Sequence, residues 1–287
     1  MYDLSKIKIK EKAFKNYEIL DSQFSFENNL RCLILKVNVK SAKSRFDMDD
    51  ILEDFDDAVF TFSDSGQNYD VNISFGISVE PCSPVEIKLL IYNIVRRKIT
   101  NGKFKFALFN ISSMILQNIK KMPDGGIRRS LLLFNIENIS WILEDTRFLE
   151  KKDKNNFIQN GLLVSDTISD YSNIKSQMFY ICNIISFITR KDVCCMESYD
   201  NDGILIETFE YKANPFGVNE EIVNIFIHSS ISELISQGYK IYKEDEEWWY
   251  MTLSYFKEIR FANSIQTKMI LACVLFERIA KKFLPPV

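Results

Sequence analysis

Apolar and polar residues alternate along much of the first half of the chain and recur at helical spacing along its last third. Lys6, Lys8, Lys10 and Lys12 alternate with Ile7 and Ile9, the pattern of a strand whose lysines guard a sheet edge. Residues 30–39 (LRCLILKVNV), 58–63 (AVFTFS) and Val71–Val79 read as further strands, rich in β-branched and aromatic side chains. Asn101-Gly102 lies between two such runs and predicts a hairpin over 87–111 closed by a type I′ turn. Pro123-Asp124-Gly125-Gly126 marks a second turn, after which 131–136 and 139–145 continue the sheet. The polar stretch 151–156 reads as a loop.

The period then changes. Ile174, Met178, Ile181, Cys182, Ile185 and Ile188 predict an amphipathic helix from Tyr171 to Thr189. A hairpin follows, turning at Asp200-Asn201-Asp202-Gly203, and Pro215 and Gly217 suggest a domain boundary at 213–219. Beyond it, Val218–Gln237 reads as a helix with Gly238 at its C′ position. A second helix covers 245–262, with Asp245, Glu246 and Glu247 at its positive end, Lys257 and Arg260 toward the other, and Trp248, Thr252, Tyr255 and Ile259 as its buried stripe. Asn263, with Gln266 three residues on, is the expected cap of a last helix that Pro285-Pro286 stops. The run Met269–Phe276 makes that helix the expected innermost rod. The fold class is α+β: a sandwich-like antiparallel domain over 1–216 with one long helix, then a helical region over 217–287.

Composition refines this picture little. With 46% hydrophobic and 26% charged residues, 9 Gly and 6 Pro in 287, the chain is an ordinary globular one. A net charge of −3 gives no global case for nucleic acid or an anionic membrane. Locally, nine basic residues stand against one acid between Arg96 and Arg129, while Asp47, Asp49, Asp50, Glu53, Asp54, Asp56 and Asp57 concentrate acid elsewhere. These are either solvated faces of opposite sign or, for the basic stretch, a phosphate-binding face. In the second reading the nucleic-acid contacts are Arg96, Arg97, Lys103, Lys105, Arg128 and Arg129. The six cysteines form no C-x-x-C pair, so neither a zinc nor a redox site is expected. The N-terminus lacks the apolar core of a secretory signal. The longest apolar run, eight residues, is too short to span a bilayer. A cytoplasmic protein without membrane partners is the expectation.

Candidate chemistry is sparse. His228 is the single histidine, which excludes multi-histidine metal centres, and its apolar surroundings favour a packing role over that of a base. The acidic run lacks the glycine and final glutamate of an EF-hand loop. No Walker loop, dinucleotide fingerprint or nucleophile elbow occurs, so neither metal nor cofactor is expected. Gly125-Gly126 before Arg128-Arg129 is a minimal phosphate cradle. Trp248-Trp249 reads as a core anchor first and a base-stacking platform second. Glu277 and Lys281 form an i,i+4 pair and are the only catalytic candidates, weak ones.

The stretch KMILACVLFERIAKKF, after a helix ending YFKEIRFANS, resembles the first helices of bacterial HEPN-domain proteins, with Phe276-Glu277 in place of the family's Leu/Phe-Glu pair. Upstream, IKSQMFYICNIISFITRKDVCCMESYDNDGILIETFEY resembles the helix-then-hairpin of the domain that precedes HEPN in ApeA-like abortive-infection proteins. The resemblance implies an RNA-binding or RNA-cleaving helical domain behind a recognition domain, in anti-phage defence, with this chain either truncated after an early HEPN helix or an inactive derivative. The family's ribonucleases carry arginine followed by histidine after a short polar gap, and no arginine precedes His228 at that spacing. The expected function is therefore a non-catalytic sensor that binds a protein or RNA trigger, with homodimerisation through the C-terminal helices. The alternatives are a metal-independent ribonuclease whose base comes from elsewhere and a dimeric interaction module with no nucleic-acid role.

Overall fold

The computed structural model describes residues 7–10, 17–27, 30–39, 59–80, 85–111, 115–116, 118–121, 128–146, 159–189, 191–209, 231–262 and 264–284. The expected turn at 123–126, the loop at 151–156, the acidic run at 47–57 and His228 lie outside these residues. The α+β class holds: thirteen strands, all paired antiparallel where a register is defined, and four helices among the described residues.

The chain forms two compact units, and neither is continuous. The first comprises 1–99 with 197–212, the second 100–196 with 213–287. This differs from the expected division at 216/217. The first crossing falls at 99/100, beside the Asn-Gly pair read as a hairpin turn. That hairpin does not exist: β6 (Val85–Arg96) pairs with β3, β5 and β13, and β7 (Phe104–Phe109) pairs with β11 and β12. Neither Asn101 nor Gly102 takes a positive φ. Gly102 instead bridges to Ser169 by a reciprocal pair of backbone hydrogen bonds of 3.0 Å. The two-residue turn with both residues left-handed is Ser65-Gly66 (φ 49° and 76°), joining β4 (Val59–Asp64) to β5 (Gln67–Glu80).

In the first unit the order is β1-β4-β5-β6-β13-β12, with β1 (Ile7–Lys10) at one end, as its lysine alternation predicts. β2 (Tyr17–Glu27) and β3 (Leu30–Val39) form a hairpin that joins β6 through β3. β6 shares one edge between two partners, β3 along Val85–Leu90 and β13 (Leu205–Thr208) at Val95. Its inward residues are Ile87, Leu89 and Ile91, then Ile94 and Arg96. The phase flips because Tyr92 has no partner on β5, where Ile73 faces Ile91 and Asn72 faces Asn93. One extra residue sends every later side chain to the opposite face. Arg96 is inside for that reason.

In the second unit the order is β12-β7-β11-β10-β9-β8, where β8 is Asn118–Lys121, β9 Arg128–Ile136, β10 Ile139–Asp145, β11 Gln159–Ser165 and β12 Cys194–Asp200. β12 begins in the second unit and ends in the first. α1 (Tyr171–Thr189) has the bounds its periodicity predicts. Asp170 caps it, accepting from the N–H groups of Ser172 and Asn173, and the Ser172 hydroxyl above all holds this carboxyl below its ordinary range. Phe104, Phe106, Trp141 and Tyr171 form an aromatic core beside it. The Trp141 indole N–H donates to the fully buried Gln177 Oε1 at 2.9 Å.

α2 (Ile231–Glu244) runs straight through Gly238, which is therefore not a C′ residue. The glycine serves packing. A Cβ there would lie 2.6 Å from the Tyr180 hydroxyl, which donates to the Ile235 carbonyl at 2.9 Å. Tyr180, Tyr239 and Tyr242 cluster at this crossing, and burial raises all three hydroxyls, that of Tyr242 to about 12. Gly→Ala inside a helix ordinarily stabilises by up to about 1 kcal/mol. Gly238→Ala is expected to do the reverse, costing about 1–3 kcal/mol by overpacking. In a Tyr180→Phe background, which removes the clashing oxygen, the cost should shrink. Urea midpoints of the four variants check this; an unchanged cost removes Tyr180 as its cause.

α3 (Glu246–Phe261) starts one residue later than expected, and Asp245, expected as its first residue, is its cap and accepts from Trp248 N at 3.2 Å. α4 (Ile265–Phe283) is capped by Ser264, one residue later than expected. α4 is not the innermost rod. Leu275 is its single buried residue, while Ile265, Met269, Phe276 and Phe283 are 74, 63, 70 and 62% exposed. The run Met269–Phe276 is apolar on every side of the helix, and α3 covers only one of them.

Candidate interaction face on the last two helices

A polar row joins α3 and α4. Arg278 donates from Nη2 to the Trp248 carbonyl at 3.2 Å and from Nε to Thr252 Oγ1 at 3.3 Å. Its guanidinium and the Lys282 ammonium lie 5.5 and 5.4 Å from the Trp248 ring centroid, and Phe283 packs edge-on against that ring. Lys282 also pairs with Asp245, which holds this carboxyl below its ordinary range. Trp248 thus anchors two helices, the packing role expected of it. Trp249 stands perpendicular to it at 4.7 Å.

Turning about α4 from this row reveals a second line of side chains. Ile265, Met269, Ala272, Phe276, Ile279 and Phe283 follow one another at steps of four and three residues, so they share one face. None is charged. The adjoining row on the far side from α3, Gln266, Cys273 and Ala280, is uncharged too. This heptad spacing was present in the sequence. The apolar run that contains it points instead to burial all round.

The candidate catalytic pair is spent elsewhere in the same helix. Glu277 and Lys281 meet at 2.7 Å, both well exposed, and the lysine draws the Glu277 carboxyl below its ordinary value. That is the opposite of what a general base near neutral pH requires.

The proposed basic face is divided between the units. In the first, Arg96 is 6% exposed and pairs with Asp200 at 2.7 Å; Arg97 pairs with Asp70 at 2.7 Å. In the second, Lys103 pairs with Asp166 at 2.6 Å and Lys105 lies half-buried on β7. Arg128 and Arg129 stand on β9 opposite Lys121 and Lys120 of β8, two like-charge cross-strand pairs at the end of the strand order. The six residues are thus two in the first unit and four in the second. Three of them already face carboxylates, and Lys120 and Lys121, two others of the nine basic residues in that stretch, pair in register with the last two.

Among the described residues no group of His, Cys, Asp and Glu is placed to hold a metal ion, and no helix is long and apolar enough to cross a membrane. Cys273, on α4, is exposed. No protein-family model, curated protein or solved structure matches this chain.

Proposed function

We propose that this chain is a non-catalytic recognition module that works through protein contact, the sensor region of a HEPN-type bacterial anti-phage defence protein. The observation that carries the protein-contact reading is the uncharged, exposed line Ile265–Phe283 on α4. Contiguous apolar surface of this kind marks protein-binding sites. The ion-paired state of Arg96, Arg97, Lys103, Glu277 and Lys281 supports the absence of a phosphate-handling or acid–base centre at those residues. The defence setting is supported by the resemblance of the C-terminal stretches to HEPN and ApeA-like proteins.

A second reading, RNA binding at the β8–β9 hairpin, is favoured by one specific observation. In the backbone register Lys120 is opposite Arg129 and Lys121 opposite Arg128, two like-charge cross-strand positions of a kind that ordinarily costs stability. Labelled RNA incubated with the protein, without metal, tests both readings. Protein contact alone predicts no cleavage and no retention. Cleavage would overturn the non-catalytic reading. Binding that weakens steeply with salt and disappears on Lys120/Lys121/Arg128/Arg129→Ala would move the function to the hairpin.

A further inference from the structure

The bulge that turns Arg96 inward also builds something on the other side of the sheet. On β6, Ile91 and Ile94 are inside, while Tyr92, 47% exposed, and half-buried Asn93 both lie on the solvent side. Regular alternation allows only one of two neighbours there; the extra residue supplies the other. An aromatic ring is thereby set next to an amide, with Asn72 of β5 opposite Asn93. We propose that this solvent face of β4, β5 and β6, within the first unit, binds an uncharged oligosaccharide.

Three polar pairs run from the bulge toward the Ser65-Gly66 turn. Asn72 donates its amide to Asn93 Oδ1, Arg97 donates from Nε to Asp70 Oδ1 at 2.7 Å, and Ser63 donates to Asn68 Oδ1 at 2.8 Å. Each pair joins neighbouring strands, so its side chains are held in place before a ligand arrives. That lowers the ordering cost of binding. Each pair also has hydrogen-bonding capacity beyond its own bond. An asparagine carries two N–H donors and a carbonyl, an arginine five donors, and a carboxylate about four acceptor sites. Two strand spacings make the face about 10 Å across.

The chemistry of the face selects its ligand. A sugar ring presents hydroxyl donors and acceptors at its edge and C–H groups on its flat side. The three pairs match the edge, and the exposed Tyr92 ring, apolar in its body and polar at its tip, matches the flat side. Charge argues against a polyanion. Asp70 and Arg97 are the one acid and the one base among these seven residues, and they neutralise each other. The next cation in register, Lys8 opposite Thr61, is on β1, outside the three strands. A protein partner would need a desolvated apolar centre. Here the centre is the Asp70–Arg97 ion pair, with side chains 51 and 40% exposed.

The test is titration calorimetry of the full chain with the hexasaccharides of cellulose, maltose, mannan and chitin. At least one is expected to bind with a dissociation constant of about 1 mM or tighter. Tyr92→Ala should weaken that binding at least about tenfold, as loss of an aromatic anchor does. Tyr92→Phe, which keeps the ring, should stay within about threefold of the parent. Because Tyr92 is exposed, the urea midpoint should not move. Should Tyr92→Ala unfold the chain, Asn93→Asp provides the second reading: it keeps the side chain's size, replaces its donor by a negative charge, and should also abolish binding. Absence of binding by all of these saccharides overturns the proposal. So does a saccharide whose affinity is indifferent to Tyr92→Ala and Asn93→Asp, or retention of RNA or of a peptide that those two substitutions remove. This face and the α4 line belong to different units and share no residue, so the outcome is independent of the protein-contact reading.

Discussion

Trp141→Ala is expected to lower the stability of the second unit by about 3–5 kcal/mol, the range for emptying a buried indole site. Trp141 is 1% exposed on β10, and its ring lies 6.1 Å from that of Phe106. Phe106 in turn stacks on Tyr171 at the start of α1. The cavity would therefore open between the sheet and the helix that covers it. The indole also serves as hydrogen-bond donor to Gln177, a buried side chain whose amide nitrogen approaches Glu137 at 3.4 Å. Trp141→Phe separates the two contributions. It keeps most of the ring and leaves the Gln177 oxygen without its donor, for a smaller loss of about 1–3 kcal/mol. Urea unfolding followed by far-ultraviolet circular dichroism reads both. Equal losses for Phe and Ala would show that the hydrogen bond, not the ring volume, carries the effect.

Asp200→Ala is expected to cost about 3 kcal/mol in the first unit, the lower end of the range for breaking a buried ion pair, because the aspartate is 21% exposed. Its Oδ2 accepts from Arg96 Nη1 at 2.7 Å, and its Oδ1 accepts from the N–H groups of Asp202 and Ile204 at 3.1 and 2.9 Å. One carboxylate thus closes the β12–β13 turn and neutralises an interior cation whose Nε has no other partner among the described residues. Asp200→Asn keeps an acceptor for the turn while removing the charge, so most of the loss should persist. Replacing Arg96 by Met in the alanine variant should recover part of it, since the orphaned charge is then gone. If Arg96→Met brings nothing back, the loss belongs to the turn.

The local rules worked where one neighbour decides the outcome. α1 was legible because its apolar residues keep helical spacing from Tyr171 to Thr189 and a sheet covers that side. The Asp200–Gly203 turn was legible because its left-handed glycine acts within four residues, and the helix start near Asp245 was legible from its acidic first turn, although Asp245 is the cap and not the first helical residue. The rules failed where a distant partner intervenes. Asn101-Gly102 has hairpin chemistry, yet Ser169 and Asp166 hold the start of β7 elsewhere. Gly238 has end-of-helix chemistry, yet the hydroxyl that needs its bare Cα comes from Tyr180, on another helix. Arg96 reads as a surface cation by strict alternation, and only the unpaired Tyr92 turns it inward. The α4 line could have been found from its heptad steps alone. What sequence could not supply was the knowledge that α3 covers just one side of that helix.

The discontinuity of the first unit has a consequence for biosynthesis. Arg96 and the aspartate that neutralises it are 104 positions apart, and the strand that completes the β6 edge follows that aspartate. At ordinary translation speeds the ribosome needs roughly 5–20 s to cover that distance. For that interval the nascent chain carries half of a strand edge open to solvent and a guanidinium without its counter-ion, beside a hydrophobic surface already made. Such an edge is a template for pairing with a neighbouring chain. Slowing elongation between codons 97 and 209 should therefore increase aggregation of this protein, although no residue of the finished molecule has changed.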